Sequence, residues 1–291
     1  MIPWLLVWGL SVLAGAVLAA WTALSVRRIL FPMRRIIPAP TPTPSYRVHA
    51  LRGADGRSFD LWILEPPRPP IATVLGFHGY YANRHQLLGL AGRLCARGYE
   101  VLLMELRGHG TRPGPYTLGR RETPDGLTAL AWACGRPERR GVPIALLGWS
   151  MGAAVTCQIA AREPAVRAMI ADSMYSRFYP ILVRVIFRRF KLGPVPWAWL
   201  SWAGLGLALG AWPASLDPAT LAPHLSLPLL LIQGGADPVV APSNREVVYA
   251  RWAGAKERWV EPQVGHVQMF EHASAAYVDR VDAFLRRAVM A

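Results

Sequence analysis

The sequence predicts an α/β fold: a mostly parallel, eight-stranded sheet flanked by helices, preceded by one apolar helix and interrupted by a long insert. Three observations predict it. From Tyr46 onward, short apolar runs bounded by Pro and Gly alternate with segments of helical periodicity. Ahead of them, Met1 to Val26 carries no charged residue, and only Ser11, Thr22 and Ser25 are polar. Between Ser173 and Leu227 the alternation stops, and a longer apolar and basic stretch takes its place.

Taken in order, Met1–Val26 is long enough to cross a hydrocarbon core of roughly 30 Å at about 1.5 Å per residue. Trp4, Trp8 and Trp21 lie towards its ends, where interfacial aromatics sit. A cleaved leader would carry basic residues before its apolar core; here Arg27, Arg28, Arg34 and Arg35 come after it. The expectation is an uncleaved single-pass anchor over 1–26, with the basic side and the body behind it facing the cytoplasm. Residues 27–45 include "IIPAPTPTPS", a semi-rigid polyproline spacer that would hold the body off the membrane. The folded body is then 46–291. Its strands are expected at 46–52, 59–64, 71–77, 100–106, 143–147, 166–171, 227–233 and 258–261. Its helices are expected at 84–97, 124–134, 151–162, 242–253 and 274–289. "GADG" between the first two strands marks a hairpin, and the later strands alternate with helices, which requires parallel crossovers.

Net charge is +14 and Lys occurs only as Lys191 and Lys256, so the basicity is almost all Arg. Neither a zinc-finger spacing nor an aromatic RNA-binding motif accompanies it, so the expected partner is anionic lipid rather than nucleic acid. Cys95, Cys134 and Cys157 are odd in number and fall in expected helices, reading as reduced, buried thiols. No metal-ligand spacing is present, and neither a metal nor an organic cofactor is expected. Oligomeric state is not legible.

"LLGWSMGAAV" (Leu146 to Val155) raises the chemical question, because a polar hydroxyl stands between apolar runs. Ser150 falls at a strand-to-helix turn in a G-x-S-x-G pattern, with Gly148 and Gly152 two residues to either side. At such an elbow the serine adopts a strained backbone, and glycines avoid collision. With "GFHGYYAN" and "RGHG" before it and "GGADPVV" and "VGHVQMF" after it, all at strand ends, the chain resembles the α/β-hydrolase superfamily, in that superfamily's order, from about Tyr46 to the end. Within it the likeness is to membrane-anchored, serine-aminopeptidase-like hydrolases. Glu105 stands before "LRGHG" where relatives more often carry Asp.

A serine hydroxyl needs a base, and a histidine near its usual pKa of about 6.5 can take and return a proton. Of seven histidines, His266 lies in a Gly-containing loop after the last strand, where the superfamily places its base. His272 and His109 are rivals, although His109 fits better as part of the "RGHG" loop. Asp237, in the turn after "LPLLLIQGG", is expected to orient that base, giving the chain order Ser150, Asp237, His266. An Asx turn before Pro238 would explain the same aspartate without chemistry, and Asp172 is the competing acid. The tetrahedral oxyanion would be met by the backbone N–H of Met151 and, by resemblance, that of Tyr80. His78 and Gly79 would shape the turn, leaving the Tyr80 side chain free to line an acyl pocket.

By resemblance, the insert 173–227 is a lid. In it Arg177, Arg184, Arg188 and Lys191, spaced seven, four and three apart, share a helical face suited to anionic membranes or to solvent. "VPWAWLSWAGLGLALGAW" (Val195 to Trp212) has the length of a second span. A single crossing there would part Ser150 from Asp237, so an apolar lid over the acyl pocket is the better reading. The expected activity is hydrolysis of carboxylic esters or thioesters with an apolar acyl group, on a small-molecule or lipid substrate. A peptidase and a non-catalytic membrane scaffold are the competing readings.

Overall fold

The computed structural model describes residues 3–290. Helix α1 (Trp4–Leu30) is apolar and long enough to cross a membrane, and none of its side chains is fully buried. It runs four residues beyond Val26, carrying Arg27 and Arg28 in its last turn, where the helix dipole favours cations. The stretch after it does not act as a spacer. Ile37 donates its N–H to Asn83 and offers its carbonyl to the His85 ring, while Pro44 packs against Gly92, so the linker lies along the body. Its prolines have no N–H to donate, and their rings cover apolar surface instead.

The sheet has eight strands: β1 (Arg47–Arg52), β2 (Ser58–Leu64), β3 (Thr73–Phe77), β4 (Glu100–Met104), β5 (Ile144–Trp149), β6 (Val166–Asp172), β7 (Leu229–Gly234) and β8 (Lys256–Glu261). Their spatial order is β1-β2-β4-β3-β5-β6-β7-β8. β1 and β2 form an antiparallel hairpin whose turn places Gly56 at φ 77°, and β2 meets β4 antiparallel. Every later pairing is parallel. β3, β4, β5 and β7 are buried along their whole length, as continuous apolar runs must be when helices cover both faces.

Those helices are α2 (His85–Ala96), α3 (Glu122–Gly135), α4 (Met151–Ala160), α5 (Phe178–Phe190), α6 (Trp199–Leu209), α7 (Pro218–Leu221), α8 (Pro242–Arg251), α9 (Met269–His272) and α10 (Ser274–Met290). One core packs α2 and α10 on a face of the sheet; the other packs α3 and α4 on the opposite face. The insert holds α5, α6 and α7. α5 buries Leu182 and Ile186 against Ala198 and Trp202 of the same insert and turns Arg188 and Arg189 outward, with Arg177 at the residue before it and Lys191 ending it in the left-handed region. α6, with eleven residues and no charge, is too short to span a bilayer.

Two expectations about composition are corrected. Cys134 is exposed rather than buried, while all three cysteines are free. Several arginines serve the fold rather than a partner: Arg107 and Arg112 both grip the buried Asp125, each at 2.6 Å, and Arg136 and Arg139 both bind Glu100. Glu100 is desolvated by burial, yet these two guanidiniums hold its carboxyl below the usual range.

Candidate active site

β5 delivers the chain to Ser150, and α4 begins at the next residue. Ser150 has φ 52° and ψ −112°, a strained conformation for a side chain with a Cβ. The glycines explain how the turn closes. A Cβ on Gly152 would stand 2.2 Å from the Phe77 carbonyl oxygen, and one on Gly148 would stand 2.4 Å from the Ala153 nitrogen. The Ser150 N–H is taken by the Asp172 carbonyl at 2.7 Å, which ties the elbow to β6.

Three side chains meet there from three separate loops. The Ser150 hydroxyl lies 2.8 Å from His266 Nε2, and His266 Nδ1 lies 2.6 Å from Asp237 Oδ2. A ring nitrogen facing a carboxylate carries the proton, so Nδ1–H donates to Asp237 and the lone pair of Nε2 faces the hydroxyl. Asp237 also makes the Asx turn: its Oδ1 accepts the N–H groups of Val239 at 2.7 Å and Val240 at 2.9 Å. The two readings of this aspartate are thus compatible, one oxygen for each.

Asp172, the competing acid, is engaged elsewhere. Its Oδ1 accepts from the Ser173 hydroxyl at 2.9 Å and its Oδ2 from the Tyr277 hydroxyl at 3.0 Å. Burial pushes its carboxyl up to about 6, against the pull of those hydrogen bonds. Tyr277 accepts in turn from Trp149 Nε1, and the Ser173 oxygen accepts the Val267 N–H at 2.9 Å. A buried polar chain therefore runs from the residue before Ser150 to the residue after His266. Ser173 and Tyr277 are missing from the sequence reading. Ser173 is foreshadowed only by following Asp172 at a strand end, and Tyr277 looks like an ordinary core position of α10.

Above the elbow passes the loop after β3. A Cβ on Gly79 would lie 3.7 Å from Ser150 Cβ, and the Gly79 N–H is held by Gln86 at 2.8 Å. Among the described residues, the N–H groups of Tyr80 and Met151 have no hydrogen-bond acceptor. The Tyr80 side chain turns toward α1. Its hydroxyl reaches the carbonyls of Arg28 at 3.1 Å and Ile29 at 2.9 Å, satisfying the C-terminal end of α1. His78 is buried between its own loop and β4: Nδ1 faces the Gly79 carbonyl at 2.8 Å, and Nε2 accepts the Leu106 N–H at 3.0 Å. Burial lowers its pKa to about 4, and burial likewise lowers that of His109, whose Nδ1 faces the Arg107 carbonyl, to about 3. Both are neutral rings that shape loops.

Glu105 shows what the longer acid does. Its carboxylate accepts the N–H groups of Arg84 at 2.9 Å and Thr111 at 3.1 Å, bracing the two loops that flank the site. Of the basic insert residues, Arg188 donates to the Pro238 carbonyl at 2.8 Å, next to Asp237, while Arg177 and Lys191 are exposed and Arg184 is half-buried. Among the described residues, no cluster of His, Cys, Asp and Glu could hold a metal ion.

Comparison with known proteins follows this geometry. A family model described as serine aminopeptidase, S33, matches residues 68–185. The chain is 28% identical over 262 residues to the uncharacterized protein Rv2307c of Mycobacterium tuberculosis, covering 88% of this chain and 84% of that one. It is 27% identical over 259 residues to a pimeloyl-[acyl-carrier protein] methyl ester esterase of Neisseria meningitidis, covering 74% of this chain and 95% of the relative. Among solved structures, the Pyrococcus furiosus esterase Pf2001 superposes with a TM-score of 0.74 at 23% identity, covering 90% of this chain and 98% of that one.

Proposed function

Because the chain is an α/β-hydrolase, and an enzyme of the esterase type, we propose that it is a membrane-anchored serine hydrolase acting on carboxylic esters or thioesters with an apolar acyl group. The observation that supports this most is the hydrogen-bonded line from Ser150 through His266 to Asp237, set at an elbow beside two unpaired backbone N–H groups. In this reading Ser150 Oγ attacks the acyl carbon while His266 Nε2 takes its proton. The oxyanion is received by the N–H groups of Tyr80 and Met151, at the start of α4 where the helix dipole favours negative charge. His266 then returns the proton to the leaving oxygen or sulfur, leaving Ser150 acylated. Water, deprotonated by the same ring, attacks the acyl-enzyme; the bond between Ser150 Oγ and the acyl carbon breaks, the ring returns that proton to Oγ, and the acid leaves. Asp237 holds the Nδ1–H tautomer and stabilises the imidazolium throughout.

The ester preference draws on the Neisseria relative, whose name specifies a methyl ester, and on the apolar composition of the insert. The membrane reading rests on α1, 27 residues long with no fully buried side chain. An amide-cleaving reading is favoured by the name of the matching family model.

Labelling of the membrane fraction by a fluorophosphonate, comparing the wild type with Ser150→Ala, tests the core of this proposal. Labelling is expected only in the wild type; equal labelling of a folded Ser150→Ala variant overturns it. A panel of acyl esters against aminoacyl amides decides between the substrate readings, and higher turnover of the amides would refute the esterase assignment.

A further inference from the structure

The apolar helix is clasped by the insert rather than held apart from it. One face of α1, carrying Leu18, Trp21, Thr22, Ser25, Val26 and Ile29, is half-buried, at the spacing of a single helical stripe. Trp21 Nε1–H lies 3.0 Å from both the Trp197 carbonyl and the Ser201 hydroxyl, and Ser201 lies 2.8 Å from Ser25. The Trp21 ring packs on Phe190 at 5.1 Å and Trp197 at 5.2 Å. α6 comes so close that a Cβ on Gly204 would stand 2.5 Å from a Thr22 carbon.

Length then sets a constraint, given the membrane reading above. The part of α1 ahead of the clasp, Trp4 to Val17, measures about 21 Å at 1.5 Å per residue. A hydrocarbon core of roughly 30 Å needs about 20 residues. Counted from Trp4, that number ends at about Ala23. The edge of the hydrocarbon then falls on the clasped segment, level with the side chains that hold it. A lid standing wholly in water would have to release Trp21, taking its indole N–H away from the Trp197 carbonyl and the Ser201 hydroxyl.

The lid surface is suited to such a position. Phe190, Val195, Trp199, Leu207 and Trp212 are large apolar side chains left exposed around this contact. α5 beside them has no acidic residue and exposes Arg188 and Arg189, followed by exposed Lys191, as a surface against anionic headgroups would. Two elements held at this boundary also touch the site: the last turn of α1 binds the Tyr80 hydroxyl, and Arg188 of α5 binds the Pro238 carbonyl.

We propose that the lid edge formed by Phe190, Val195 and Trp199 is inserted into the acyl–headgroup boundary of the leaflet that holds the C-terminal end of α1. The enzyme on this account takes an amphiphilic ester directly from that leaflet rather than from water. This rests on the anchored-hydrolase reading, and the test separates the two.

The full chain, with Cys95→Ser and Cys134→Ser removing the accessible thiols, is reconstituted in phosphatidylcholine vesicles containing a minority of phosphatidylglycerol. Nitroxide labels are placed singly at Val12→Cys, Val48→Cys, Val195→Cys and Trp199→Cys, all exposed positions, and a thermal melt checks that each folds. Relaxation by oxygen against a water-soluble nickel chelate reads depth. A deep Val12 label, an aqueous Val48 label, and Val195 and Trp199 labels relaxed mainly by oxygen are expected. Aqueous labels at Val195 and Trp199 with a deep label at Val12 overturn the insertion and leave the anchor standing; an aqueous Val12 label overturns both. In parallel, Trp199→Asp is expected to raise the apparent KM for a long-chain ester held in vesicles about tenfold, with kcat/KM for a short soluble ester unchanged. No change for the vesicle substrate also overturns the proposal.

Discussion

Asp237 divides its carboxylate between the His266 ring and two backbone N–H groups, and Ser173 divides its hydroxyl between Asp172 and the Val267 N–H. Ser173→Ala would take a partner from the buried Asp172 Oδ1 and from the half-buried Val267 N–H, at about 1–3 kcal/mol for the buried oxygen. The melting temperature is expected to fall. Because Val267 follows His266, kcat should fall severalfold with KM little changed. Retained kcat in a less stable protein would confine Ser173 to structure. Tyr80 admits a complementary experiment, since Tyr80→Phe keeps the backbone N–H and removes only the link to α1. Loss of one developing hydrogen bond to the oxyanion corresponds to about tenfold in rate per 1.4 kcal/mol. A drop in kcat of about that size, at unchanged KM, is expected from steady-state kinetics; an unchanged kcat would show that α1 does not position this loop.

At the scale of elements, the insert is fastened by a carboxyl that burial has perturbed. Asp217 Oδ1 accepts the Phe178 N–H at 2.9 Å, joining the start of α7 to the start of α5, and burial pushes its pKa up to about 7. An unfolded chain ionises this carboxyl near pH 4. Between that value and about 7 the folded state keeps a proton that the unfolded state has lost, so stability falls as pH rises through the interval and levels off above it. Asp217→Asn retains the acceptor and removes the titration. The difference between its melting temperatures at pH 5 and pH 8 should be smaller than the wild type's by about 5–10 °C, since two pH units correspond to about 2.7 kcal/mol at the usual 2–4 °C per kcal/mol. An equal difference in both proteins would remove Asp217 from the pH response. The elbow makes a steric prediction instead: Gly152→Ala drives a methyl into the Phe77 carbonyl, a contact of 2.2 Å, and should cost about 2–3 kcal/mol in denaturant titration.

At the scale of the molecule, α1 is part of the fold as well as the proposed anchor. Its last turn supplies carbonyls to Tyr80 and to the Tyr116 N–H at 2.7 Å, and its inner stripe covers Trp197, Ser201 and Gly204. Deleting residues 1–30 exposes all of these. The truncated chain should melt at least about 5 °C lower than the full chain in the same detergent; an equal melting temperature would make α1 a dispensable attachment.

The sequence by itself determined the eight strands, the elbow at Ser150 and the chain order of serine, aspartate and histidine. Periodicity and glycine spacing are local signals, and buried parallel strands write them as uninterrupted apolar runs. Bounds moved by a few residues, as at 100–104 against the expected 100–106, because the edge of a strand depends on its neighbour in the sheet. Only the tertiary structure decided which acid faces His266. Asp172 and Asp237 both end strands, and they differ in what surrounds them: Tyr277 and Ser173 enclose one, while the other turns an oxygen to the ring. It also decided where the linker and the Tyr80 side chain go, because a proline-rich segment reads as extended whether it stands in water or lies on a surface. The stripe on α1 was hidden for a related reason. A helix that is apolar all round shows no periodicity to distinguish the side that meets lipid from the side that meets the lid.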